Sequence, residues 1–201
     1  EAEDANQALL RLATALEARA RATRSSASEL GALWRRARDE PEEPGFVGVE
    51  MLRSVDQVVL AAYSLVSTAE RRFRAFLDDS PVSRRLILEE SPTFARSSLP
   101  NSAISLVVDV ALFAHEDVLT RLEAAARAGQ RIVVGDGLPF SGLVVDNRAA
   151  LVDLSRHDSR ADGSFVVRRR APIAAVEALF EVAFELSTPM APTLARLMDG
   201  S

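Results

Sequence analysis

Residues Ile104 to Val134 read ISLVVDVALFAHEDVLTRLEAAARAGQRIVV, and this stretch decides the fold. It opens with Ile104 to Val110, a nearly continuous apolar run rich in Val and Ile, which is typical of a buried strand. A helix is predicted from about Glu116 to Ala128, with Gly129 as its C-terminal stop. Arg131 to Val134 predicts the next strand. A strand, a helix and a strand in this order are the building unit of α/β folds.

The residues after this unit predict a hairpin, a strand and a helix. Gly142 to Val145 and Ala149 to Leu154 are predicted to pair through a turn at Asp146-Asn147-Arg148. Ser164 to Arg169 predicts one more strand. A terminal helix follows, with Pro172 in its first turn and an end near Ser187. The combination predicts an α/β fold with a mixed sheet flanked by helices.

The residues before the unit extend the same alternation. An apolar run from Val47 to Leu52 predicts a strand, and Ser54-Val-Asp-Gln57 has the pattern of a capping box at the start of a helix. Arg71 to Leu77 predicts another strand. Between residues 80 and 103, Val82 to Glu90 has helical character and the remainder has loop composition.

The N-terminal 40 residues predict a long helix that precedes the α/β body. Leu, Ala, Arg and Glu dominate this segment, and a heptad pattern places apolar residues on one stripe, interrupted by three polar positions. The stripe comprises Leu9, Leu12, Leu16, Leu30 and Leu33. Two interpretations stay open, a dimerising or connecting coiled coil and a helix packed on its own domain. We therefore divide the chain into a helix at 1–40, an α/β domain at 46–189 and a tail at 190–201.

Composition excludes several functions. All 24 basic residues are Arg, and Cys is absent, so the chain has no lysine or cysteine with which to build a Schiff base, a P-loop or a thiolate metal site. The net charge of −5 is not that of a nucleic-acid-binding domain. The longest apolar run, Val58 to Val66, is far shorter than the ~20 residues of a transmembrane helix. No signal peptide is recognisable at the start, which favours a cytoplasmic location.

Metal, cofactor and catalytic patterns are weak. His115 and His157 are far apart in sequence and neither belongs to a ligand pair such as HExxH. We therefore expect no metal, no cofactor and no catalytic residue.

Acidic residues at predicted strand ends are the best candidates for a ligand site. Asp78, Asp79, Asp136 and Asp146 each follow a predicted strand, and α/β folds place ligands at one end of the sheet. Ordinary turn residues at strand ends are the alternative interpretation.

The region from about Val47 to Pro189 resembles the phospholipase D-like sensor region of actinobacterial LuxR-type and TrmB-like transcriptional regulators. The resemblance depends mainly on the segment GLPFSGLVVDNR at Gly137 to Arg148. The other segments that contribute are Ala150 to Leu154, Phe165 to Val167 and Ala178 to Glu185. It implies a domain that follows a linker helix and precedes a C-terminal helix-turn-helix. The tail from Leu194 to Ser201 is too short for that module, so we expect DNA binding only through a helix-turn-helix outside this chain.

The same resemblance gives a test of whether phospholipase D chemistry survives. Those enzymes use the motif HxKx4D; when its acid is aligned with Asp146, Ser141 takes the lysine position and Pro139 takes the histidine position. The resemblance thus implies the fold without the catalysis. It implies a cytoplasmic, homodimeric bacterial regulator domain that binds a small-molecule effector or a protein partner. We expect the ligand to be contacted by Asp78, Asp79, Asp136, Ser141 and Asp146.

Two other functions stay open from the sequence. One is a stand-alone structural or oligomerisation domain. The other is a phosphodiesterase with a displaced active site, built from His115 and an acidic partner.

Overall fold

The computed structural model of the chain describes residues 48–89, 99–138, 140–156 and 163–190, and seven separate positions between 14 and 32. The strands are β1 (Val49–Leu52), β2 (Phe73–Leu77), β3 (Ile104–Asp109), β4 (Arg131–Gly135), β5 (Ser141–Val145), β6 (Ala149–Asp153), β7 (Ser164–Val167) and β8 (Thr188–Pro189). Between residues 48 and 190, the α-helices of the described residues are α1 (Val55–Ser67), α2 (Pro81–Leu88), α3 (Glu116–Arg127) and α4 (Arg170–Leu186). Two short 3-10 helices, Asn101–Ala103 and Val110–Ala114, flank β3.

All eight strands form one mixed sheet in the order β1-β7-β6-β5-β2-β3-β4-β8. Strands β2, β3 and β4 are parallel to one another, and every other pairing is antiparallel. The parallel strands are buried along most of their length and are mostly apolar, as expected for strands covered on both faces. The predicted fold class, an α/β fold with a mixed sheet flanked by helices, is confirmed.

Helices cover the two faces of the sheet unequally. One face packs against α1, α2 and α3 through a large core that includes Val58, Val66 and Leu122. The other packs against α4 through a smaller core centred on Val176 and Phe180. Successive side chains along a strand point to opposite faces of the sheet, so the same strands contribute residues to both cores.

The start of α1 follows the predicted cap with one change of partner. The Ser54 hydroxyl accepts a hydrogen bond from the Gln57 backbone N–H at 3.2 Å. The Gln57 side chain accepts from the backbone N–H of Arg53 at 2.8 Å, one residue before the N-cap. Two backbone donors at the helix start are therefore satisfied, as in a capping box.

The C-terminal part of the body follows the prediction for the terminal helix and adds one strand. Helix α4 begins at Arg170, so Pro172 is its third residue and still within the first turn. Strand β8 was not predicted, because two residues carry no periodicity. It pairs with β4, where Thr188 lies opposite Val134 and Pro189 opposite Val133.

The seven described positions near the N-terminus are helical. They are Thr14, Ala18, Arg21, Ser25, Ser28, Gly31 and Ala32; all except the half-buried Gly31 are exposed. In the predicted heptad they fall on the side opposite the Leu stripe, which is where exposed residues are expected. Leu9, Leu12, Leu16, Leu30 and Leu33 themselves lie outside the described residues, as do 191–201 of the predicted tail. No helix in the described part of the chain has the length and apolarity needed to cross a membrane.

Candidate functional site

Polar side chains collect at one edge of the sheet, where the parallel strands end. Asp78, Asp109 and Asp136 stand at or just after the carboxyl ends of β2, β3 and β4. The antiparallel strands β5 and β7 begin at this edge, and β6 ends there. They contribute Ser141, Ser164 and Asp153. This edge is the usual position of ligand sites in α/β folds.

Asp78 is fully buried and bonded to serines. Its backbone N–H donates to the Ser141 hydroxyl at 2.9 Å, and that hydroxyl donates in turn to the Asp78 carboxylate. Ser83 Oγ lies 2.7 Å from Ser141 Oγ and 3.4 Å from Asp78 Oδ1. The other carboxylate oxygen, Asp78 Oδ2, is buried with no hydrogen-bond partner among the described residues. An unpartnered oxygen of a buried carboxylate is costly unless something else supplies a donor.

Asp153 is the second buried carboxylate of the edge, 1% exposed. It accepts from the Ser155 backbone N–H at 3.0 Å, the Ser155 hydroxyl at 2.8 Å and the Ser164 hydroxyl at 3.2 Å. Burial raises the pKa of the Asp153 carboxyl; the hydrogen bonds from Ser155 and Ser164 lower it, and the charge of Asp78 raises it further. The combined effect is a raised pKa.

Ser80 joins Asp153 to the start of α2, where Ser83 continues the contact to Asp78. It is the N-cap of α2, and its hydroxyl accepts from the Ser83 backbone N–H at 3.2 Å. The same hydroxyl lies 3.3 Å from Asp153 Oδ2 and 3.1 Å from Ser83 Oγ. A change at either carboxylate therefore reaches the first turn of α2. We call Asp78, Ser80, Ser83, Ser141, Asp153, Ser155 and Ser164 the edge network.

Asp109 fixes the loop that follows β4. Its carboxylate accepts from the backbone N–H of Leu138 at 2.9 Å and from that of Ala111 at 3.0 Å. Arg156 donates to Asp109 Oδ2 at 3.2 Å and to the Leu138 carbonyl at 2.7 Å. This buried acid thus holds two loops together and already has a cation beside it.

Asp79 and His115 form a partly exposed pair beside the buried network. His115 Nε2 lies 3.2 Å from Asp79 Oδ1, and each side chain is 33% exposed. The guanidinium of Arg84 lies 3.7 Å from the same carboxylate oxygen. An acidic partner for His115 was part of the phosphodiesterase alternative, and Asp79 occupies that position.

The predicted ligand residues do not all meet. Asp78 and Ser141 are in direct contact, and Asp79 follows immediately. Asp136 is exposed at the end of β4. Asp146 lies at the opposite end of the sheet, because β5 runs antiparallel to β2 and places Val145 opposite Phe73. The prediction that Asp146 shares one end of the sheet with the other acids is therefore wrong.

The position of Asp146 has a structural reason. It starts a two-residue turn in which both Asp146 and Asn147 have positive φ, at 50° and 57°. Its carboxylate accepts from the backbone N–H groups of Glu70, Arg71 and Arg72 at 2.7–2.9 Å. In the described structure, Asp146 therefore anchors the backbone of the segment that directly precedes β2.

A cavity of about 340 Å³ lies between the sheet and helices α1, α2 and α3. Its walls are mostly apolar side chains of the larger core, among them Ala62, Val66, Phe73, Ala75, Leu77, Leu106, Leu122, Leu143 and Leu151. Ser141 and Asp153 of the edge network also line it. Glu89, Arg121 and Gln130, which keep contact with solvent, are its other polar lining residues. Apolar walls with a few convergent polar groups are typical of small-molecule sites.

Sequence reasoning missed Asp109 and Asp153, and with them the edge-network serines Ser80, Ser83, Ser155 and Ser164. The sequence places Asp109 within the apolar run Ile104 to Val110 and Asp153 within the predicted strand Ala149 to Leu154. The available signal in the sequence was an acid at the end of an apolar run, because a charge that is buried there needs hydrogen-bond partners.

The hydroxyl of Ser141 lies among carboxylate and hydroxyl groups. Among the described residues, the side-chain partners of Ser141 are Asp78 and Ser83, so no imidazole activates its hydroxyl there. In the same part of the chain no three His, Asp or Glu side chains are grouped so that they could hold a metal ion.

Comparisons with known proteins agree with the fold. No protein-family model matches the chain, and no curated protein matches it in sequence. Among solved structures, it is similar to TrmBL2, an archaeal chromatin protein whose structure shows a novel mode of DNA binding. The identity is 12% and the TM-score 0.54, over 92% of this chain and 67% of that one. A phospholipase D family member, Nuc from Salmonella typhimurium, matches with 10% identity and a TM-score of 0.49, over 65% of this chain and 88% of that one. The likeness to TrmBL2 confirms the TrmB-like prediction at the level of fold.

Proposed function

We propose that the chain is a non-catalytic, effector-binding and dimerisation domain of a transcriptional regulator of the bacterial LuxR or TrmB-like type. The observation that carries the proposal is the cavity between the sheet and helices α1 to α3, which reaches Ser141 and Asp153 of the edge network. The fold shared with TrmBL2, a DNA-binding chromatin protein, supports the regulatory context. The net charge of −5 agrees with DNA contact through a module outside these 201 residues.

The edge network supplies a route from ligand to conformational change. Ser141 and Asp153 line the cavity, and Ser80 connects Asp153 to the first turn of α2. A ligand that hydrogen-bonds Asp153 competes with the Ser80 hydroxyl and alters the cap of α2. The effector acts by its different affinity for two positions of this helix, which is the requirement for any allosteric ligand.

The decisive experiment uses the parent reading frame. We expect sequencing on both sides of this chain to show a helix-turn-helix, and the parent protein to retard genomic DNA fragments in a mobility-shift assay. The 201-residue chain alone is the matched control and should not retard them. A parent frame without any DNA-binding module would overturn the proposal and leave a stand-alone structural domain.

A second candidate function is favoured by the His115 and Asp79 pair. A histidine beside a carboxylate at a sheet edge can act as a general base, which is what a phosphodiesterase with a displaced site would need. Turnover of bis(p-nitrophenyl) phosphate in the presence of Mg²⁺ or Mn²⁺, abolished by His115→Ala and retained by Asp136→Asn, would establish this function. We expect no turnover by the wild-type chain.

A further inference from the structure

We propose that the cavity between the sheet and helices α1 to α3 binds an organic amine, with the apolar body against the core residues and the ammonium group at Ser141 and Asp153. This proposal deepens the proposed function. Only the regulatory meaning of amine binding rests on that function; the binding itself does not. It names the chemical class of the effector, and it concerns a site that sequence reasoning had only half identified.

The apolar walls set the first requirement on the ligand. Strands β2, β3, β5 and β6 contribute Ala75, Leu106, Leu143 and Leu151 to the floor, and α1 and α3 contribute side chains from above. Ala75 leaves space because its side chain ends at Cβ in the middle of the floor. A volume of about 340 Å³ is at the lower limit of small-molecule sites. It suits a compact alkyl or arylalkyl body.

The charge at the polar end sets the second requirement. Asp78 and Asp153 are both buried, at 0% and 1% exposure. Their hydrogen-bond partners within residues 48–89, 99–138, 140–156 and 163–190 are backbone amides and serine hydroxyls, and none is an arginine. The sequence holds no lysine. Two neighbouring carboxylates in a buried site favour a positive charge placed between or beside them.

The count of donors points the same way. Each serine hydroxyl has one proton, so Ser83 can donate either to Ser141 or to Asp78, and not to both. Asp78 Oδ2 has no donor among the described residues. Asp78 does not itself line the cavity, but it is bonded to Ser141, which does. An ammonium group carries three donors and no acceptor, so it satisfies carboxylate and hydroxyl oxygens without adding a new unsatisfied group. An alcohol offers one donor, and a carboxylate offers none and adds repulsion.

The test compares three probes that share one body and differ in the head group. 4-Phenylbutylamine, 4-phenylbutan-1-ol and 4-phenylbutyrate are titrated into the full 201-residue chain at pH 7 by isothermal calorimetry. We expect the amine to bind at least tenfold more tightly than the alcohol, and the carboxylate not to bind. Equal affinity for amine and alcohol, or no binding of the amine at millimolar concentration, would overturn the proposal.

Three variants locate the binding. Asp153→Asn should remove the preference for the amine over the alcohol, because the head group loses its charged partner. Ala75→Leu should weaken both probes by filling the floor of the cavity. Asp117→Asn, which changes an exposed acid in the first turn of α3 that does not line the cavity, is the control and should bind all probes as the wild type does. Unchanged amine binding in both Asp153→Asn and Ala75→Leu would place it elsewhere and contradict the inference.

The variants need a check of folding, because Asp153 is buried. Circular dichroism and a thermal melt show whether each is native, and Ser141→Ala replaces Asp153→Asn if that variant unfolds. The outcome is separable from that of the regulatory proposal. If the parent protein binds the amine but has no DNA-binding module, the amine site is supported and the regulatory function is contradicted. If the parent binds DNA but no amine, the regulatory function is supported and the amine site is contradicted.

Discussion

At the scale of single residues, Asp146 shows how a plausible ligand residue can have a structural role. Burial acts to raise the pKa of its carboxyl, but the backbone N–H groups of Arg72, Glu70 and Arg71 together lower it below its ordinary value. These bonds join residues about 75 positions apart in the chain. The aspartate side chain therefore closes the β5–β6 turn onto the segment that enters β2.

We expect Asp146→Ala to lower the free energy of unfolding by about 1–3 kcal/mol, because three backbone donors lose a charged acceptor. Urea denaturation followed by circular dichroism measures the loss. Asp136→Ala, which removes an exposed acid at the end of β4, should leave the midpoint nearly unchanged. Equal midpoints for Asp146→Ala and the wild type would contradict this role.

Asp153 gives a prediction about pH. Its pKa is raised in the folded chain by burial, so the native state holds its proton more tightly than the unfolded state does. The contribution of Asp153 to stability is then complete below the ordinary carboxyl pKa of about 4 and is lost as the pH rises through the folded value. We expect Asp153→Asn to remove this part of the pH dependence in denaturation experiments between pH 4 and pH 7, and Asp136→Asn to keep it. A wild-type slope retained by Asp153→Asn would refute the assignment.

At the scale of elements, most strands and helices were predictable because their signals are local. Val- and Ile-rich runs predicted β3 and β4, and Ser54 predicted the start of α1. The hairpin of β5 and β6 followed from Asp146-Asn147, whose positive φ values suit the tight turn. Strand β8 was not predictable, because it exists only through its pairing with β4.

The candidate site was predictable only in part, for a related reason. Asp78 and Ser141 stand next to breaks in the hydrophobic pattern, and polar residues at such breaks are recognisable as candidates for a binding site. Asp109 and Asp153 are the last residues of buried strands, so the pattern includes them in the strand and hides their burial. Which strand ends meet at one edge depends on the sheet order, and that order is not a local property of the sequence.

Gly142 provides a prediction for the β5–β6 pair. A Cβ at this position would lie 2.6 Å from the backbone carbonyl oxygen of Leu151 on the neighbouring strand, so the two strands would have to separate. We expect Gly142→Ala to cost about 1–3 kcal/mol and to speed hydrogen exchange at amides of β5 and β6. Gly137→Ala is the comparison: a Cβ there meets nothing within 4 Å, and its cost is the local backbone strain of a residue with φ of 67°, so it should leave that exchange slow. Unchanged exchange in Gly142→Ala would show that the strands absorb the methyl group.

At the scale of the whole molecule, the heptad near the N-terminus predicts how two copies of the chain would associate. The exposed helical positions between Thr14 and Ala32 lie opposite the Leu stripe of the heptad, which agrees with a stripe that faces a partner or the body. We expect Leu12→Asp combined with Leu33→Asp to give monomers in light scattering, because two charges would enter the Leu stripe through which a coiled coil would pair. Ala18→Asp, on the exposed side, is the matched control and should stay dimeric. A double variant that remains dimeric would place the interface on the α/β body.

The order of strands in the sheet also has a mechanical consequence. The outermost strands, β1 and β8, stand at opposite edges of the sheet. Gly48 directly precedes β1, and Met190 directly follows β8. Seven spacings of ~4.8 Å separate them, so a force applied through these two residues acts roughly across the strands over about 34 Å. Such tension opens the interstrand hydrogen bonds one after another, starting with the two residues of β8, and does not shear them together. The domain would then yield stepwise at low load.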